Sequence, residues 1–217
     1  MNERPSSVST HSPLTRVRVA RDQARASLTP DDWLRQAADV LVEKSVEGVR
    51  VDVLARMLGV TRGSFYWHFT DRDDLLARLL ASWKQRQTEQ VIAAHERPGL
   101  TPQAVISDLA GLPFRGASAQ RGASIELAVR AWARRDERAR AVVDEVDSVR
   151  LEYIRHVFMQ LGFADDQARH RAFLLYSYMQ GESLFRSLGG GSQQACRRRF
   201  VEQLLTQPPA VHGESAA

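Results

Sequence analysis

Within seven residues, from Arg62 to His68, the chain places a cation, a hydroxyl, a phenol, an indole and an imidazole: Arg62, Ser64, Tyr66, Trp67 and His68. These groups can donate to phosphate oxygens, reach base edges in a major groove and lie against a thymine methyl. Phe65 and Phe69 interrupt the set at a spacing of four, so on a helix they share one face and can point into a core while the polar groups project outward. Nothing elsewhere in the chain offers comparable chemistry. There is no paired acid and base, and no glycine-rich phosphate loop. His95, His156 and His170 are scattered without metal-ligand spacing, which predicts surface or polar-core histidines, no metal, no cofactor and no enzyme activity.

Such a surface has to be held out by two short helices meeting at a corner. The stretch 54–69, LARMLGVTRGSFYWHF, has the pattern for it. Ala55 is small enough to let two helices approach, Gly59 tolerates a positive φ at the corner, and Val60 and Phe65 pin the second helix to the first. Thr61 has the chemistry to cap that second helix, because its hydroxyl can accept from the free amides at the start. On Leu54, Ala55, Gly59, Val60, Thr61, Gly63, Ser64, Tyr66, His68 and Phe69, followed by Asp71, Arg72, Leu75 and Leu76, the segment resembles the DNA-binding domain of the tetracycline-repressor (TetR)/AcrR family. The likeness is specific over roughly residues 29–80 and architectural beyond.

The resemblance implies an all-α protein: a three-helix, helix-turn-helix DNA-binding head followed by a larger helical ligand-binding and dimerisation body. It implies that Tyr66 and His68 contact phosphates. Arg62, Ser64 and Trp67 are then the candidates for base or methyl contacts, with Trp67 alternatively packing on the first helix. Thr61 and Gly63 complete the DNA-binding set, and Arg72, in the first turn of the following helix, is placed to reach a phosphate. The expected partners are a palindromic operator in double-stranded DNA, a small apolar ligand and a second copy of the chain, paired through the last two helices. Function is expected to be transcriptional repression relieved by the ligand. A ligand-free activator or architectural protein shares the same head.

The 217 residues, 43% hydrophobic and 26% charged, suffice for a buried core, and the net charge of +4 permits a nucleic-acid partner. One cysteine, Cys196, excludes an internal disulfide framework and fits a reducing cytosol; it is expected to pack on the last helix. No apolar run spans a bilayer and no secretory leader is evident, so a cytoplasmic location and no membrane partner are expected. Residues 1–28 carry five arginines against Glu3 and Asp22 and no apolar period, which predicts a disordered arm, either following DNA or merely solvated. The head is expected over 29–71, the body over 72–207, and a flexible tail over 208–217.

Capping signals divide the chain into helices. Thr29-Pro30-Asp31-Asp32 opens the first, which Gly48 ends; Asp71 opens a long one running to about His95; Thr101-Pro102 opens another. The remaining helices are expected at about 119–134, 136–161, 165–188 and 193–206, with a loop over 113–118. Arg134–Arg138 and Arg197-Arg198-Arg199 read as solvated or dimer-rim charge runs. The body also carries Phe114, Trp132, Tyr153, Phe158, Tyr176 and Met179, residues that form either plain core or the wall of a cavity between helices.

Overall fold

The structure, a computed structural model, describes residues 28–185 and 191–207 and is all-α, with no strand among them. The predicted arm before Leu28, the glycines at 189 and 190 and the tail from 208 lie outside the described residues. In chain order the helices are α1 (Pro30–Gly48), α2 (Val51–Met57), α3 (Arg62–Phe65) and α4 (Arg72–Lys84). A π-helical turn (Gln85–Glu89) then leads into α5 (Gln90–His95). The body continues with α6 (Pro102–Gly111), a 3-10 turn (Leu112–Phe114), α7 (Gly116–Ala133), α8 (Glu137–Gln160), α9 (Asp165–Leu184) and α10 (Gly191–Thr206).

Local chemistry accounts for most of these boundaries. At the start of α1 the Thr29 amide and hydroxyl both donate to Asp32, at 2.9 and 2.8 Å, so the carboxylate reaches back over the first turn. Asp71 accepts from the Asp74 amide at 2.8 Å, and the Asp74 carboxylate accepts in return from the Thr70 amide at 3.0 Å. Asp136 and Thr101 cap α8 and α6 in the same way, accepting from Ala139 and Ala104. The α2 start lacks a hydroxyl cap, and there Arg50 instead grips Asp52 through two bonds, at 3.2 and 3.1 Å.

Several details differ from the sequence reading. The helix expected to run from Arg72 to about His95 does reach it, but carries a π turn at Gln85–Glu89. α7 begins at Gly116, within the expected loop. α9 starts at Asp165 with Ala164 at its N-cap, so the acid that could have capped the helix is its first residue. Cys196 is exposed on α10 instead of packed.

The core does not stop where the head does. Trp33, Leu41, Leu54, Phe65 and Phe69 of the head join Leu75, Leu79 and Trp83 of α4, and the same cluster continues into Val129 and Trp132 of α7 and Val143 and Val146 of α8. α1 lies along α7, where Arg121 and Asp39 pair at 2.6 Å. A second core, centred on Ile106, Phe158, Leu175 and Leu205, ties α6, α8, α9 and α10 together. α4 with its π turn therefore touches head and body alike, and a tilt of that helix would be felt at both.

Candidate functional site

The corner between α2 and α3 is closed by backbone alone. The Val60 amide donates to the Ala55 carbonyl at 2.9 Å and the Gly59 amide to Arg56 at 3.2 Å, a Schellman closure that requires the left-handed φ of +69° found at Gly59. Val60 folds back against the core as the closure demands. Thr61 occupies the N-cap position of α3 in extended backbone, and its carbonyl accepts from the Ser64 amide at 3.1 Å. Its hydroxyl makes no cap bond among the described residues, which departs from the expected cap. That hydroxyl lies over Gly63, 3.7 Å from where a Cβ would stand.

α3 proper is one turn long, so Tyr66, Trp67 and His68 sit on the turn that follows, with the His68 and Phe69 amides both donating to the Phe65 carbonyl. Phe65 and Phe69 are buried as their spacing predicts, stacked with centroids 5.2 Å apart. Trp33 meets Phe65 edge-on at 5.4 Å, so the indole that packs on this motif comes from α1. Trp67 is 86% exposed and Tyr66 56% exposed, beside exposed Arg62 and half-buried Ser64 and His68. The fold thus brings this part of the expected set onto one surface.

Arg72 is placed elsewhere. Its guanidinium donates to the Val49 carbonyl at 2.7 Å and the Val46 carbonyl at 2.6 Å, closing the end of α1 and the α1–α2 link. A half-buried arginine holding two carbonyls is turned inward, away from the phosphate role expected of it.

Behind the head, a cavity of about 430 Å³ opens between the π turn, α5, α6, α7, α8 and α9. Tyr153, Tyr176 and Met179 line it, as three of the six expected residues. The other three do not. Trp132 is in the core shared with the head, Phe158 is buried against Phe163, and Phe114 sits on the 3-10 turn whose Leu112 and Pro113 supply the lining instead. Sequence periodicity cannot separate these, because core and cavity walls use the same apolar residues on the same helix faces.

Part of the cavity wall is polar, which the helical periodicity of the sequence does not reveal. Glu126, 8% exposed, accepts from Arg150 at 2.8 Å, Arg130 at 2.9 Å and the Gln180 amide at 3.0 Å. Arg130 also pairs with Asp147 at 2.5 Å, and the Tyr176 hydroxyl donates to Asp147 at 2.6 Å. Burial alone would push the Glu126 carboxyl up, but Arg150 and Arg130 hold it below the usual carboxylate range. Burial, Glu126 and Asp147 push Tyr176 up to about 12 against the pull of Arg150, so it stays a neutral phenol. Arg150 further donates to the Thr88 hydroxyl at 2.9 Å and the Gln87 carbonyl at 3.2 Å, both on the π turn. The one sequence signal for this network was the i, i+4 spacing of Glu126 and Arg130.

Two further polar groups away from the cavity cluster are held by neighbouring groups. The His95 ring nitrogens lie 2.7 Å from the Val91 carbonyl and 2.5 Å from Asp108. Arg197 grips Glu182 at 2.7 Å. Among the described residues no group of three or more His, Cys, Asp or Glu side chains could hold a metal ion, and no helix is long and apolar enough to cross a membrane.

Fold and site together define an all-helical protein with a helix-turn-helix head and a hollow helical body. Residues 34–79, within the head, match the family described as bacterial regulatory proteins, tetR family. Over 59 residues the chain is 39% identical to the HTH-type transcriptional regulator SrpR of Pseudomonas putida, a match covering 27% of this chain and 28% of that one. The likeness to this relative thus spans less than a third of its length. Among solved structures, a TetR-family transcriptional regulator from Agrobacterium tumefaciens superposes with a TM-score of 0.64 at 19% identity, over 82% of this chain and 97% of that one. A Saccharomonospora viridis protein in complex with choline superposes with a TM-score of 0.66 at 16% identity, over 81% and 94%. These structures share the whole fold, head and body.

Proposed function

We propose that the chain is a sequence-specific DNA-binding transcriptional regulator, a homodimeric cytoplasmic repressor that leaves its operator when a small apolar molecule fills the body cavity. The observation that carries this reading is the exposed pair Tyr66 and Trp67 beside Arg62, held outward over buried Phe65 and Phe69 on a tetR-family corner. Leaving a phenol and an indole in water side by side gains nothing for folding, whereas both suit a nucleic-acid groove. Tyr66 and His68 take phosphates, Arg62, Ser64 and Trp67 read bases, and Thr61 and Gly63 let the backbone come close. Residues 29–71 act as the head and 72–207 as the body.

The cavity supports a ligand-responsive reading over a ligand-free one, being of a size that holds small molecules. Choline is not carried over from the Saccharomonospora protein, because Glu126, the acid lining this cavity, is already held by two arginines. Assembly is supported by a band of exposed apolar side chains on α9 and α10, among them Phe173, Leu174, Phe200 and Leu204. The test is selection from a randomised DNA pool followed by fluorescence anisotropy. Enrichment of a palindrome with half-site centres about 10 bp apart, or a multiple, is expected of two α3 helices entering grooves on one side of the duplex. Binding without any sequence enrichment would sink the reading.

A further inference from the structure

The charges of the cluster that meets the cavity at Glu126, Arg150, Tyr176 and Gln180 cancel. Two arginines, Arg130 and Arg150, meet two acids, Glu126 and Asp147, through contacts of 2.5 to 2.9 Å. Tyr176 and the Gln180 amide are the neutral members of the cluster, with hydrogen bonds to Asp147 and Glu126. The rest of the lining combines the apolar Val91, Ile92, Leu109, Ile154 and Met179 with a few polar groups, of which the charged Arg86 and Arg115 are themselves paired, with Asp31 at 3.3 Å and with Asp108. An ion carried into such a site would lose its water and meet no uncompensated opposite charge. An uncharged molecule avoids that loss, and an uncharged hydrogen-bonding group still finds donors and acceptors in the cluster.

We propose that the cavity selects an uncharged, largely apolar molecule with one hydrogen-bonding head, a hydroxyl or carbonyl, which lies against Tyr176 and Arg150 while its body lies among the apolar wall residues. This rests on reading the cavity as the regulator's ligand site. Its test is therefore run on the full chain without DNA, so that a failure of operator binding is seen separately in the anisotropy assay.

The probes are 4-butylphenol, 4-butylbenzoate and 4-butylphenyltrimethylammonium, which share one apolar body and differ in head charge, with headless butylbenzene as the reference, all titrated calorimetrically near neutral pH. The phenol should bind at least tenfold tighter than either ion. Ala123→Phe, which fills the α7 wall, should weaken the phenol at least tenfold while circular dichroism stays native. Tyr176→Phe should weaken the phenol severalfold and leave butylbenzene unchanged, a difference that a general loss of folding would not produce. The proposal is overturned if either ion binds as tightly as the phenol, if no probe binds, or if the phenol is indifferent to whichever of the two variants folds.

Discussion

Arg62 and Arg72 stand ten residues apart in one motif, yet their surroundings give them opposite work. Arg62 begins α3 and is exposed, while Arg72 is half-buried with its guanidinium on the Val46 and Val49 carbonyls. Arg72→Ala should cost about 1–3 kcal/mol of stability, since two part-buried carbonyls lose a charged donor. Operator affinity of the folded fraction should stay nearly unchanged. Arg62→Ala should leave stability alone and relax the preference at one base position by about 1–3 kcal/mol. Denaturant titration and anisotropy on operator variants separate the two. A stable Arg72→Ala protein that loses DNA affinity would return that residue to the phosphates. The inward turn of Arg72 was not legible because its acceptors lie 23 and 26 residues earlier in the chain. The burial of Phe65 and Phe69 was legible, because a spacing of four on a helix is local information.

At the scale of elements the same division recurs. Thr29-Pro30, Asp71, Thr101 and Asp136 mark helix starts that the structure keeps, since a cap is chemistry within three residues. The π turn at Gln85–Glu89 has no such mark. Its register is met by Arg150, more than sixty residues away, which takes the Gln87 carbonyl and the Thr88 hydroxyl. α9 leaves Phe173 and Leu174 exposed while Ala172, Leu175 and Tyr176 are buried. On α10, Leu205 is buried and its neighbour Leu204 is 55% exposed, so Leu204 can be changed without touching the core of the subunit. If α9 and α10 of two copies pair, Leu204→Glu buries a carboxylate without a partner and should cost several kcal/mol of association. Sedimentation should then show folded monomers at concentrations where the unaltered chain is dimeric. A folded variant that still sediments as a dimer places the interface elsewhere.

For the whole molecule the question is how an occupied cavity could reach the DNA surface. A ligand lowers operator affinity only by preferring the conformation whose two heads are wrongly spaced for their grooves. A hundredfold release needs a preference of about 2.7 kcal/mol, which lies within the usual range of coupling between sites. Arg150 is where such a preference can act, because it lines the cavity, binds Glu126 and holds the π turn that continues α4. A ligand head that draws on Arg150 loosens that hold, and α4, sharing its core with Trp33 and Phe69, carries the change into the head. Linkage makes the effect reciprocal, so saturating operator should weaken the ligand by the same factor by which ligand weakens operator. Thr88→Val keeps the shape of a side chain that is 1% exposed and removes the acceptor that Arg150 uses on the π turn. It should cut the coupling severalfold, since a hydrogen bond to a charged group is worth about 1.5–3 kcal/mol. Ligand affinity in the absence of DNA should change much less. Titrating ligand with and without operator, for both proteins, measures every corner of the cycle. If the unaltered protein binds its ligand equally well in both conditions, the cavity is not coupled to the head. If Thr88→Val leaves a strong coupling intact, the connection runs through the core between α1 and α7 and not through the π turn.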